Sequence, residues 1–172
     1  APLAFMRGRT LEDSFWHIGK IRPERMLPAI HGPAWGYRYR ARFSVRYVPK
    51  KGGVLVGFHE RRSSFIADMQ SCEIVPRRVS QWLPVLRELI GALSIRNRVP
   101  QIELAIGDGD DALVLRVMEP LTAEDEARLR AFSQTQRATI YLQPRGPDSV
   151  FAFWPAGAAL PEYRLPEFDL CL

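Results

Sequence analysis

Cysteine is scarce in this chain: its 172 residues hold two, Cys72 and Cys171. Two thiols close at most one disulfide, and nothing else in the composition suggests secretion, so a reducing, cytoplasmic compartment is expected. Histidine is limited to His17, His31 and His59, none at a ligand spacing from Cys72. Long apolar runs are missing as well. No stretch approaches the roughly 18 residues that a membrane helix needs, and no signal peptide is expected, because Arg7 and Arg9 follow a very short apolar stretch. There is no G-x-S-x-G, no H-E-x-x-H and no Cys–His pair at a meaningful spacing, so no nucleophile, base and orienter set is legible. One literal match to a nucleotide loop, "GDGDDA" at 107–112, follows a strand but precedes another strand, "ALVLRVME", where such a loop needs a helix. Its three aspartates would also repel a phosphate, so it reads as a hairpin turn.

Arginine, by contrast, is concentrated. Formal net charge is +5, yet residues 36–62 alone hold eight Lys/Arg against Glu60, a net +7, so the rest of the chain carries −2. Basicity confined to one region points to a polyanion met on one face. Within it, "GYRYRARFSVRYVPKKGG" alternates strictly. Tyr37, Tyr39, Ala41, Phe43, Val45 and Tyr47 fall on one side, and Arg38, Arg40, Arg42, Ser44 and Arg46 on the other. A period of two is a strand with one buried and one wet face, so the tyrosines are expected in the core and the arginines in water. A wet strand face is usually mixed in sign, and no carboxylate lies between 37 and 59 to pair with these arginines. Their side chains recur every 6.6–7 Å or so, roughly the phosphate repeat of a nucleic-acid strand, and guanidinium both grips phosphate and stacks on bases. Arg38, Arg40, Arg42 and Arg46, supported by Lys50, Lys51, Arg61 and Arg62, are therefore the candidate nucleic-acid-binding residues, with RNA favoured over DNA only by the tyrosines nearby.

Thr10 with Asp13 three residues on resembles a capping box, with Leu11, Phe15 and Ile18 following at helical spacing and Gly19 as the stop. Pro23, Pro28 and Pro33 make residues 20–35 irregular. After the arginine strand, "PKKGG" reads as a hairpin turn, "VLVGFHE" as the returning strand, and "FIADM" as a short third strand. Pro76 opens a helix whose apolar face includes Val79, Trp82, Leu83, Leu86 and Ile90, with a break expected near Pro84. "QIELAI" and "ALVLRVME" are strands, and Thr122 caps a helix that runs to about Gln136. "ATIYLQ" and "SVFAFW" are further strands, and 155–166 reads as a linker. The class is α+β, a largely antiparallel sheet with about three helices.

The run from Trp35 to Pro76, with its "WGYRYRAR" strand, "VGF" return and "DMQSC" strand end, resembles the central domain of bacterial 23S rRNA (uracil-C5)-methyltransferases of the RumA/RlmD type. "QIEL", "LVLR" and "PLTAEDEARLRAFS" continue the likeness, which spans about residues 11–172. The resemblance implies a three-part parent. An RNA-binding TRAM barrel comes first and a catalytic domain that binds S-adenosyl-L-methionine comes last, with this chain between them. It implies ribosomal RNA as partner and makes Arg38, Arg40, Arg42, Arg46, Lys50, Lys51, Arg61 and Arg62 candidate RNA-binding residues, together with the TRAM and catalytic domains of the same parent chain, no membrane and no DNA. It also implies that the catalytic residues lie outside this chain, so the chain alone is expected to be inactive. Residues 1–35 then form a lead-in, 36–154 the RNA-binding domain, and 155–172 a linker and strand toward the catalytic domain. Taken alone, Cys72 reads as a small buried hydrophobe. The resemblance makes it the fourth ligand of a [4Fe–4S] cluster in the parent, its three partners lying upstream, with no cofactor expected in this chain by itself. Glu73 departs from the family, which often has Pro there. The rivals are a stand-alone RNA-binding protein without enzymatic activity, a tRNA uracil-54 methyltransferase of the same superfamily, and a protein-interaction module whose basic face meets an acidic protein.

Overall fold

The computed structural model describes residues 2–27 and 32–171, so Pro28 and His31 lie outside the described residues. The chain separates into two compact units, residues 1–34 and 35–172. In the first, helix α1 spans Pro2–His17. It begins well before the expected cap. Thr10 sits in mid-helix, where its hydroxyl donates to the Met6 carbonyl at 3.0 Å instead of capping a free N–H, and Ser14 does the same to Thr10 at 2.7 Å. This back-bonding satisfies the hydroxyls without interrupting the helix.

In the second unit, strands β1 (Arg40–Val48), β2 (Gly53–Gly57), β3 (Gln101–Ala105), β4 (Asp111–Arg116), β5 (Ala138–Gln143) and β6 (Phe151–Trp154) form one sheet, in the order β2-β1-β3-β4-β5-β6. Every neighbouring pair is antiparallel except β4–β5. That parallel pair is joined by helix α4 (Ala123–Gln136), as a parallel connection requires. A small β7–β8 pair (Arg164–Leu165 with Leu170–Cys171) ends the chain. The class is α+β with a mostly antiparallel sheet, as the hairpin-rich sequence predicts.

The helix opened by Pro76 is divided into α2 (Arg77–Ser80) and α3 (Trp82–Ala92). The break falls at Gln81, just ahead of Pro84, which can neither donate an N–H nor tolerate the carbonyl four residues back. Leu83, Leu86 and Ile90 of α3 and Leu129 and Phe132 of α4 close over one face of the sheet, meeting Phe43, Ile102, Leu104, Leu113, Leu115 and Ile140 in a single core. Among the described residues no helix is long and apolar enough to cross a membrane.

Two expected elements differ. "FIADM" is no strand: a lone pairing of His59 with Ile66 is all that forms. The chain turns tightly at Glu60–Phe65 and then leaves the sheet, with Asp68 pairing to Arg87. Residues 155–166 are also more engaged than a linker. The Asp108 N–H donates to the Glu162 carbonyl at 2.9 Å, Arg164 N–H to the Asp108 carboxylate at 2.7 Å, and the Tyr141 hydroxyl to the Ala159 carbonyl at 2.5 Å. Gly107 permits this approach, since a Cβ there would stand 2.5 Å from the Glu162 carbonyl oxygen.

Candidate nucleic-acid interface

The period of two that drives β1 into a strand decides which side chains reach water. Ala41, Phe43 and Val45 are buried, while Arg40, Arg42 and Arg46 are exposed on the opposite face, with Ser44 half-buried between them. Lys50 and Lys51 project from the 3-10 turn between β1 and β2, closed by Gly52 in the left-handed region. Arg61 and Arg62 stand at the exposed tip of the Glu60–Phe65 turn, with Arg62 itself at φ 57°. All eight predicted basic side chains, Arg38 included, are solvent-exposed.

The row is not uniform. Arg38 precedes the strand: its N–H donates to the Ile74 carbonyl at 2.8 Å, its Nε donates to the Arg40 carbonyl at 3.0 Å, and its guanidinium lies 5.4 Å from the Phe58 ring. Arg42 does have a carboxylate partner, contrary to the expectation from local sequence. Antiparallel pairing sets Glu103 of β3 directly opposite it, and the guanidinium reaches Glu103 Oε1 at 2.9–3.0 Å. Arg40 and Arg46 form no ion pair among the described residues.

The tyrosines correct the other half of the expectation. Tyr37, Tyr39 and Tyr47 are 52%, 54% and 36% exposed. The ladder starts only at Arg40; before it, Gly36 and Arg38 pair with the Glu73 and Ile74 carbonyls instead. The buried layer therefore extends over Ala41, Phe43 and Val45 and stops. Trp35 and Phe65 are exposed too, so aromatic rings lie on the same stretches as the basic side chains. Sequence reasoning also passed over Arg96, whose guanidinium sits 5.2 Å from the Tyr47 ring centroid; the signal was available in "SIRNRVP", a short segment with two arginines and no acid.

Asp111, read as part of a turn, is the buried first residue of β4, and Arg78 grips both its oxygens at 2.8 Å. That hydrogen bond raises the Arg78 pKa above the ordinary arginine value, against the opposing effect of burial. The preceding part of "GDGDDA", residues 107–110, lies in the strand-to-strand connection between β3 and β4.

Cys72 is 7% exposed and belongs to the core, its backbone N–H donating to Ser80 Oγ at 2.7 Å. Cys171 is exposed, and its Sγ lies 3.3 Å from the Glu162 carboxylate, which raises the thiol pKa. Among the described residues no group of three or more His, Cys, Asp or Glu could hold a metal ion. An iron–sulfur cluster needs about four thiolates, so the described residues do not fit one by themselves.

No protein-family model matches the chain. Among curated proteins it is similar to the 23S rRNA (uracil(1939)-C(5))-methyltransferase RlmD of Burkholderia pseudomallei (strain 1710b), with 58% identity over 165 residues, which is 96% of this chain and 35% of that protein. The protein of the same name from Aromatoleum aromaticum is 57% identical over 98% of this chain and 39% of its own length; that from Nitrosospira multiformis is 57% identical over 95% and 37%. The chain therefore spans little more than a third of the length of these relatives. Among solved structures, Pyrococcus abyssi tRNA (uracil-54, C5)-methyltransferase in complex with S-adenosyl-L-homocysteine matches with a TM-score of 0.57 over 98% of this chain and 41% of that one, at 13% identity, a likeness of fold. With more than half its residues identical to these relatives along nearly its whole length, the chain belongs to the same family as these RlmD proteins and matches a little over a third of their length.

Proposed function

We propose that this chain is the central, RNA-holding part of an S-adenosyl-L-methionine-dependent 23S rRNA uracil-C5 methyltransferase. The observation that carries the reading is the solvent face of β1. Arg40, Arg42 and Arg46 stand in water at every second or fourth residue, on a strand whose other face is locked into the core by Ala41, Phe43 and Val45. A rigid strand fixes the spacing of the guanidinium groups, and phosphate contacts set the register of a nucleic acid without reading its sequence. Arg38, Lys50, Lys51, Arg61 and Arg62 extend the basic surface. The share of the work is to hold folded RNA so that one uridine can leave its stack and enter a catalytic site elsewhere in the parent. S-adenosyl-L-methionine would supply the methyl group there. Within this reading residues 36–154 hold the RNA, residues 155–172 lead toward the catalytic domain, and the chain alone methylates nothing. Cys72 would contribute one thiolate to a [4Fe–4S] cluster whose other ligands would come from elsewhere in the parent. The fixed backbone at Cys72, tied to Ser80, suits a ligand that must not wander.

The test is binding of the 172-residue chain to a single-stranded and a hairpin RNA over a range of salt. Affinity should fall steeply with salt, and Arg40→Ala should lower the log–log slope by about 0.7, one phosphate contact's worth on a single strand. Binding that ignores salt, or an acidic protein that outcompetes RNA for the same face, would overturn the reading.

A further inference from the structure

The register of β1 is staggered. Strand β3 pairs with it from Arg40 to Ser44, whereas β2 pairs with it from Ser44 to Val48. On the β3 side the strand pairing ends at Ser44, with one further rung beyond it. The Val45 N–H goes to the Pro100 carbonyl at 2.9 Å, and the α3–β3 connection fills the step. The result is a cleft of about 330 Å³ at the end of the arginine row, lined by Ser44, Arg46 and Tyr47 of β1, His59 just after β2, and Arg96 and Asn97 of the connection.

Its chemistry is one-sided. Two arginines and a histidine face it, and no Asp or Glu is among its lining residues. Neither Arg46 nor Arg96 has a carboxylate partner among the described residues. This contrasts with Arg42, Arg78, Arg87 and Arg98, each neutralised by an acid. Arg96 is held instead over the Tyr47 ring, which fixes the guanidinium plane without cancelling its charge. Asn97 adds an amide that can donate and accept, as a base edge requires. The volume sits at the lower end of the roughly 300–1,000 Å³ typical of small-ligand pockets, room for one nucleotide and not a duplex.

We infer that this cleft is a subsite for a single unpaired RNA nucleotide: Arg46 and Arg96 bracket its phosphate, and Asn97 and His59 meet its base or ribose. The inference rests on the proposed RNA-binding role of β1 and deepens it, because Arg46 belongs to both the strand face and the cleft. It makes the α3–β3 connection, which the charge count of residues 36–62 leaves out, part of the RNA track.

The experiment titrates the chain with a short single-stranded RNA, and separately with uridine 5′-monophosphate and inorganic phosphate, following the side-chain amide of Asn97 and the Nε–H of Arg96 by NMR. Both signals should shift with RNA and with the mononucleotide, and less with phosphate alone. Arg96→Gln should weaken RNA binding on the order of five- to tenfold at low salt and reduce the salt slope by about 0.7. Asn97→Ala should weaken it at every salt concentration with no change in slope. Both positions are exposed, so melting temperatures should stay at the parent value, which separates a lost contact from a lost fold. If Arg40→Ala weakens RNA binding while Arg96→Gln and Asn97→Ala match the parent, the subsite is wrong and the strand-face reading survives. If the parent chain binds no RNA at low salt, both fall together. Equal shifts with phosphate and with the mononucleotide would reduce the cleft to an anion site and overturn the nucleotide assignment.

Discussion

Asp125 and Ser94 tie the start of α4 to the end of α3: the Ser94 N–H donates to one carboxylate oxygen at 2.8 Å and the Ser94 hydroxyl to the other at 2.5 Å. The same carboxylate accepts from the Thr122 N–H at 3.1 Å while Thr122 Oγ1 accepts from the Asp125 N–H at 3.2 Å, closing a reciprocal cap. One fully buried side chain thus serves two helices. Burial alone would push its carboxyl upward, but the hydrogen bonds it accepts from Ser94 and Thr122 outweigh that and hold the pKa at about 2.

The pH dependence follows from that depression. A carboxylate whose folded pKa lies below its unfolded value stabilises the fold above the unfolded value, and that contribution drains away as pH falls toward the folded one. For Asp125 the window runs from about pH 4 down to about pH 2. Asp125→Asn keeps the shape but offers an N–H where two donors need an acceptor, and should cost about 1–3 kcal/mol at neutral pH. Urea unfolding at pH 7, 4 and 3 should show the gap between parent and variant narrowing as pH drops. A gap independent of pH would mean that Asp125 acts through packing alone.

The ion pair of Arg78 and Asp111 makes a separate prediction. Asp111 is buried and its partner is half in water, so the pair lies between an exposed bridge and an internal one. Arg78→Met leaves a buried carboxylate without its bidentate partner and should destabilise by about 1–3 kcal/mol. The double variant Arg78→Met/Asp111→Leu removes both charges and should recover much of that loss, since an apolar pair of similar volume avoids the desolvation cost. Chemical denaturation of the three proteins measures it; a double variant weaker than Arg78→Met would assign the loss to strand β4 rather than to the stranded charge.

What the sequence disclosed, and what it hid, divides along the range of the interaction. The Thr122 cap is legible because every partner except Ser94 lies within three residues. The break before Pro84 is legible because proline acts on its own turn. Thr10 misled because a hydroxyl can cap a helix or bond back into one, and only the residues upstream decide. The burial of Phe43 and the exposure of Arg40 followed from alternation, yet alternation cannot say where a covering layer stops, so Tyr37, Tyr39 and Tyr47 were placed in the core. Glu103 is 61 residues from Arg42, and only the β1–β3 register brings them together. Arg96 reaches the β1 edge for the same reason.

The two faces of β1 should answer differently to mutation. Phe43 is 1% exposed, with its ring 5.1 Å from that of Phe58. Phe43→Ala should cost about 3–5 kcal/mol by opening a cavity, seen as an early thermal transition. Arg40 has no ion pair to lose among the described residues, so Arg40→Ala should shift stability by no more than about 0.5 kcal/mol. An Arg40→Ala protein that melts early, beside a silent Phe43→Ala, would reverse the strand.

The Arg42–Glu103 contact yields the sharpest test of the proposed interface, because it predicts a gain. Glu103 Oε1 already accepts from Arg42 and from Gln101 Nε2 at 2.7 Å, so in the free protein Arg42 is partly neutralised in the middle of the basic row. A phosphate arriving there must displace or share that carboxylate. The pair is exposed on the arginine side, and such bridges contribute only about 0–1 kcal/mol to folding, so Glu103→Gln should leave the melting temperature nearly unchanged. The glutamine can still accept from Arg42 through its carbonyl oxygen while the negative charge is gone. RNA affinity should then rise severalfold at low salt, the salt slope should steepen by up to about 0.7, and the gain should vanish in Arg42→Ala/Glu103→Gln. Measured by fluorescence anisotropy on the same RNA across a salt series, an unchanged or weaker affinity for Glu103→Gln would place the phosphates away from Arg42 and confine any contact to Arg40, Arg46 and the turn lysines.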